Sequence, residues 1–157
     1  MIKTFTLLVV FILWANTRTH HTNYIDPTGT YVINSKTTKN GNDIYGYSGQ
    51  VQVKKITPKK IAMTFWVNKG APSYNSGSFI DTMDYQNNIA VYKTPDIDTS
   101  CLISFTFTQD GVSVKEKTAD FNCGCGFGHA VVADGFFRKT SSKQPVFKNP
   151  GTGEIIK

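Results

Sequence analysis

Arginine is nearly absent. Arg18 and Arg138 are the only two in 157 residues, so the formal net charge of +6 rests almost wholly on lysine. Nucleic-acid readers send arginine into a groove from a helix or strand, or carry the paired Cys and His spacing of a zinc finger, and neither pattern occurs. Lys54, Lys55, Lys59 and Lys60 gather beside one apparent turn, as at a solvated hairpin end; nucleic acid is not an expected partner. A sustained helical period, an internal repeat and a heptad are also missing after the first residues, which excludes helical bundles and solenoids. Gly-x-Ser-x-Gly, His-Glu-x-x-His and a phosphate-cradling loop are absent, and with them the usual signs of hydrolase, metalloprotease and nucleotide chemistry. The carboxylates Asp81, Asp84, Asp96 and Asp98 sit at strand or loop positions where solvated acids are ordinary, and two neighbouring acids do not make a calcium cage. The expectation is a protein that is not an enzyme and carries no cofactor.

Long apolar runs are equally scarce. The one present, from about Thr6 to Ala15, follows Lys3 and gives way to polar residues, the layout of a secretory signal with Ala15 as the small residue before cleavage. It is about half the roughly 20 residues that a spanning helix requires, so no membrane span is expected once it is removed. Loss of residues 1–15 takes Lys3 with it, lowers the charge from +6 to +5, and leaves 157 − 15 = 142 residues, enough for one core. We expect a flexible segment at 16–27, a domain at 28–147 and a polar tail at 148–157, with Pro145-Val146-Phe147 placed to dock on the domain wall. The product is expected to be a secreted or periplasmic monomer.

What the chain does contain is two-residue alternation. "KIAMTFWVN" puts Ile61, Met63, Phe65 and Val67 on one face; "CLISFTFT" does the same with Cys101, Ile103, Phe105 and Phe107, and "VSVKEK" with Val112 and Val114. Such patterns mark half-buried antiparallel strands. Turn signals at "TPKK", "QNN" and "QDG" separate consecutive candidates by hairpin-sized gaps. With "TGTYVIN", "YGYSGQVQVKKI", "SFIDTMDY", "IAVYKT" and "GFFRK" the count reaches about eight strands, a number that closes a small all-β, up-and-down barrel without free edges. Phe65, Phe105, Phe107, Phe121 and Phe127 would supply its core. The polar stretch "NKGAPSYNSGS" at 68–78 lacks alternation and reads as a loop, with Lys69, Tyr74, Asn75 and Ser76 as candidate binding residues.

Cysteine is limited to three, at 101, 123 and 125. Read with period two, "FNCGCGFG" sets Phe121, Cys123, Cys125 and Phe127 on one face and Gly124, Gly126 and Gly128 on the other, a strand or bulged strand against which an aromatic such as Tyr31 or Tyr47 can lie. The hairpin running out from Cys101 and back toward Ala119 brings one of Cys123 and Cys125 within the roughly 6 Å Cα separation of a disulfide. Parity leaves open which one. A zinc site of Cys101, Cys123, Cys125 and His129 has suitable ligand types, but Cys-x-Cys departs from the usual gap and an oxidising compartment competes for the thiols, so no metal is expected. His129 has no orienting partner in view for a catalytic dyad and reads as a structural or partly exposed strand residue.

From about Gly46 to Phe147 the chain resembles an uncharacterised family of secreted bacterial proteins of the Bacteroidota type, through "KGAPSYNSGSFIDT", "CGFGHAVVADGFFRK" and the single Cys101. That resemblance implies a Cys101–Cys125 disulfide, with Cys123 as a free thiol, and no activity. "GTY" at 29–31 and Arg138 are similar to the first-strand and last-strand signatures of lipocalin-like barrels, which implies small-ligand binding. "SG" at 48–49 and "FWVNKG" at 65–70 resemble pieces of C-type lysozyme inhibitors, which implies blockade of a glycosidase through the loop 68–78. The expected function is a non-enzymatic binding module for a small apolar ligand or a cell-surface component; the alternative is an inhibitor of an extracellular glycosidase.

Overall fold

The computed structural model describes residues 23–33, 35–148 and 152–155; the expected signal at 1–15 and most of the segment 16–27 lie outside the described residues. Among these residues nine strands form: β1 (Gly29–Ile33), β2 (Thr38–Asn40), β3 (Asp43–Thr57), β4 (Lys60–Gly70), β5 (Ser76–Gln86), β6 (Ile89–Thr94), β7 (Asp98–Phe107), β8 (Gly111–Lys117) and β9 (Gly135–Ser141). Each strand from β3 to β9 pairs antiparallel with the next; β9 then pairs with β1, and β1 pairs with β3 from Gly29↔Val53 to Val32↔Gln50, closing eight strands into a barrel. The ninth, β2, was not expected. It exists because β3 is long enough to serve two partners on one edge, β1 along 50–53 and β2 along 43–45, so a short hairpin projects past the barrel mouth.

The alternation dictates what lies inside. Ile61, Met63, Phe65, Val67, Ile103, Phe105, Val112 and Val114 are fully buried, with Cys101 and Phe107 nearly so. Phe65 stands at the centre, its ring 5.3 Å from Phe79, 5.7 Å from Phe105, 5.8 Å from Phe137 and 6.0 Å from Phe127. Tyr31, Phe107 and Tyr85 continue this aromatic filling downward through edge contacts. Offset and edge-on rings of this kind contribute about 0.5–1.5 kcal/mol per pair beyond their buried area.

The end carrying the β3–β4, β5–β6 and β7–β8 turns is the lower one, and residues 23–28 cross it. Although 23–27 were expected to belong to a flexible segment, they are tied down: Tyr85 Oη donates to the Ile25 carbonyl (2.8 Å), Tyr31 Oη to the Pro27 carbonyl (2.7 Å), and Asn88 Nδ2 to the Asn23 carbonyl (2.8 Å). Lys55 forms an ion pair with Asp26. Burial acts to raise the Asp26 pKa, but that contact and the hydrogen bonds from Thr28 outweigh it and hold the carboxyl at about 2. At the other terminus the chain leaves β9 and runs over the outside of β3, where Phe147 is buried with Lys54 Nζ 4.3 Å above its ring.

One element differs in kind from expectation. Residues 121–128 form no strand; they turn through a short 3-10 segment, Gly124–Gly126, in which Cys125 and Gly126 have φ of 58° and 72°. Two consecutive left-handed residues reverse the chain, which ends any two-residue parity. Phe121 and Cys123 are therefore exposed, Phe121 at 77 %, while Cys125 and Phe127 are buried. The close neighbours of the glycines are Thr118, Ile97 and Ser76 rather than Tyr31 or Tyr47.

Candidate functional site

The upper end of the barrel carries the β2–β3 hairpin, the β4–β5 and β6–β7 turns, and the connection from Thr118 to Asp134 between β8 and β9. A connection of this length, lacking strand structure of its own, commonly serves as a lid or binding loop. Here it is a fixed cap. Phe127 enters the barrel, stacking on Phe65, and its ring rests against Gly77, where a Cβ would lie 2.3 Å from the ring. Gly128 N donates to the Ser76 carbonyl (2.9 Å), Val132 N to Tyr47 Oη (3.3 Å), and Ala133 N to Glu116 Oε2 (2.7 Å). Burial pushes the Glu116 carboxyl above the ordinary value, the charges of Asp134 and Asp98 adding to it, against the opposing Ala133 N–H.

The disulfide joins Cys101 on β7 to Cys125 in the cap, with Cα atoms 5.0 Å apart. Beside it, Asp98 accepts hydrogen bonds from Ser100 Oγ (2.6 Å), Cys125 N (3.2 Å) and Thr118 Oγ1 (2.8 Å), and these hold its carboxyl far below the usual range. The carboxylate thus ties the start and the middle of the cap to β7. Its ionisation serves structure, since Ser100, Thr118 and Cys125 all donate to it.

The expected loop 68–78 is shorter than its polarity suggests. β4 continues to Gly70 and β5 starts at Ser76, leaving five residues, 71–75, as a turn. Lys69 and Ser76 therefore lie on strands. Lys69 Nζ and Asn75 Nδ2 both donate to the His129 carbonyl of the cap (2.9 and 3.0 Å). Tyr74 Oη donates to Asp43 Oδ1 (2.9 Å) and accepts from Ile44 N (3.1 Å), bracing the turn against the projecting hairpin. Lys69 Nζ, Tyr74 Oη and Asn75 Nδ2 are engaged within the fold and the Ser76 carbonyl accepts from Gly128 N, while the Tyr74 ring, 43 % exposed, reaches outward with Ile44 at 48 % and Tyr45 at 38 % alongside. Tyr45 was missed because it reads as the start of a strand, and Ile44 directly precedes it; Ile97, 71 % exposed, is an apolar residue inside a polar turn, and that mismatch was its available signal, whereas Phe121, 77 % exposed, was read as core.

With Cys101 and Cys125 in a disulfide, the four-ligand zinc set does not form, and among the described residues no group of three or more His, Cys, Asp or Glu is placed to hold a metal. Asp81 and Asp84 stand three apart on β5, facing opposite sides, and Asp98 is consumed by the cap. No described helix is long and apolar enough to cross a membrane. Set against protein-family models, curated proteins and solved structures, the chain matches none.

Proposed function

We propose that the chain is a secreted or periplasmic binding module that recognises a cell-surface component or extracellular protein through the outside of its capped upper end. The observation that carries this reading is the filled interior: Phe65, Phe79, Phe105, Phe127 and Phe137 occupy the barrel, and chain segments cover both mouths. An apolar ligand within the barrel would have to expel Phe127 from under a disulfide. A rim with exposed Tyr45, Tyr74 and Ile44 on a braced framework supplies rigid aromatic contact area at small entropic cost. The Cys101–Cys125 bond fits an oxidising compartment. The likeness to secreted Bacteroidota-type and lipocalin-like barrels belongs to this same reading, with the ligand moved from cavity to rim.

The test is retention of the purified chain on intact bacterial cells and on their detergent-washed envelopes, beside Tyr45→Ala with Tyr74→Ala. Retention that drops about tenfold in the double variant supports the rim. Equal retention of both proteins, or an apolar molecule recovered in stoichiometric amount from organic extracts, overturns it. The bracing of Tyr74 by Asp43 and Ile44 also favours the inhibitor reading, since a pre-organised turn suits insertion into a glycosidase cleft. Assays against several lysozyme types decide that: no inhibition at micromolar protein removes it.

A further inference from the structure

The outer wall of β3 and β4 carries a second concave surface that owes nothing to the rim. Barrel walls are convex, and this stretch becomes a groove only because the C-terminal chain lies across it. Pro145 and Phe147 are buried against the wall, and Lys148 pairs with Ile155 in an antiparallel bridge. Thr64, which points outward by register, is consequently only 6 % exposed. Between this chain and Trp66 lies a groove of about 260 Å³, lined by Gln50, Gln52, Thr64, Phe65, Trp66 and Lys148. Phe65 is turned into the core and shows the groove its backbone alone.

The polar inventory narrows what fits. Thr64 Oγ1 approaches Gln52 Oε1 (3.4 Å), which leaves both N–H groups of the Gln52 amide available. The Gln50 amide, Trp66 Nε1 and Lys148 Nζ have no partner among the described residues. The groove therefore combines an apolar indole surface with several donors and a free amide acceptor, and among the described residues no carboxylate lines it. A hydrocarbon would leave the amides unpaired at a cost of about 1–3 kcal/mol for each group buried. A metal ion would find no acidic oxygen, and a polyanion would find a single lysine.

A pyranose ring fits all of these features. It has an apolar C–H face for the indole and a rim of hydroxyls that donate and accept, which suits glutamine amides. The volume lies just under the roughly 300–1,000 Å³ of drug-sized pockets, room for one ring. We propose that the groove between the β3–β4 wall and the C-terminal chain is a subsite for one neutral pyranose unit of a glycan, with Trp66 as the stacking platform, Gln50 and Gln52 as the hydroxyl readers and Phe147 as the anchor of the covering chain.

The experiment is titration of the full chain with cellobiose, maltose, lactose, mannobiose and N,N′-diacetylchitobiose, following tryptophan emission. Trp14 lies in the expected signal and Trp66 is the one other tryptophan of the sequence, so a change in emission that Trp66→Phe abolishes reports this groove. At least one sugar should give a saturable change with Kd near ~1 mM, and Gln50→Ala and Trp66→Phe should each weaken binding, read by calorimetry, about tenfold. Both replacements are at the wall surface, and an unchanged thermal midpoint for Gln50→Ala separates lost recognition from lost folding. Tyr45→Ala with Tyr74→Ala should leave sugar binding intact, so failure of the rim reading and failure of the groove are told apart. The proposal is overturned by no saturable response to any of the five sugars, by binding that Gln50→Ala and Trp66→Phe leave unchanged, or by binding confined to sulfated disaccharides and lost with Lys148→Gln.

Discussion

Replacing Cys101 and Cys125 together by alanine isolates what the crosslink contributes. The two cysteines are 24 residues apart, and closing a loop of that length in the unfolded chain corresponds to about 3.4 kcal/mol at 25 °C on the chain-entropy relation. Alanine is the right replacement, because both positions are only 3 % exposed and a serine hydroxyl there would add its own burial cost of about 1–3 kcal/mol. With typical domain stabilities of 5–15 kcal/mol, the variant should remain folded but lose a large fraction of its margin, on the order of 10 °C in thermal midpoint. Urea unfolding at neutral pH, with and without reductant, measures the loss. Hydrogen exchange locates it: amides of 124–133 should exchange much faster, while those of β3 and β4 slow down or speed up only with global stability. Cys123→Ala, at the exposed free thiol, should change neither quantity. A loss below about 1 kcal/mol, or cap amides as protected as before, would refute the idea that the bond clamps the cap, and would assign that role to Phe127 and the hydrogen bonds.

Phe127→Ala should cost about 3–5 kcal/mol in urea unfolding, since the disulfide keeps the cap in place and prevents collapse around the void; a cost under 1 kcal/mol would show that the ring is not a plug. Asp98 has a folded pKa far below its ordinary 3.8, so it adds stability that is complete above that value and disappears as pH falls below it toward the folded value. Asp98→Asn should therefore be less stable than the parent at pH 7 and should show a shallower loss between pH 4 and pH 2; parallel stability curves across that range would contradict the assignment.

The strands were legible because in-and-out alternation is a property of neighbouring residues. Ile61, Met63, Phe65 and Val67 lie inside as their spacing requires, and each hairpin turn joins the partners it separates in sequence. The same rule misled at 121–128, where Phe, Cys, Cys and Phe happen to fall at alternate positions. The glycines between them permit the left-handed turn at Cys125 and Gly126, so spacing no longer reports direction. The loop 68–78 was read too long because its polar side chains suggested solvent, whereas Asn75 and Lys69 are polar in order to meet the His129 carbonyl.

By itself, then, the order of residues determined an all-β barrel, its inward faces and its nearest-neighbour hairpins, since all of these follow from contacts a few residues apart. Only the tertiary structure decided which cysteine meets Cys101, that Phe127 fills the mouth while Phe121 faces solvent, and that the C-terminal chain turns a convex wall into a groove. Those outcomes depend on segments that meet after the barrel closes through β1 and β3, and no local pattern encodes where a covering chain comes to rest on a surface formed by others.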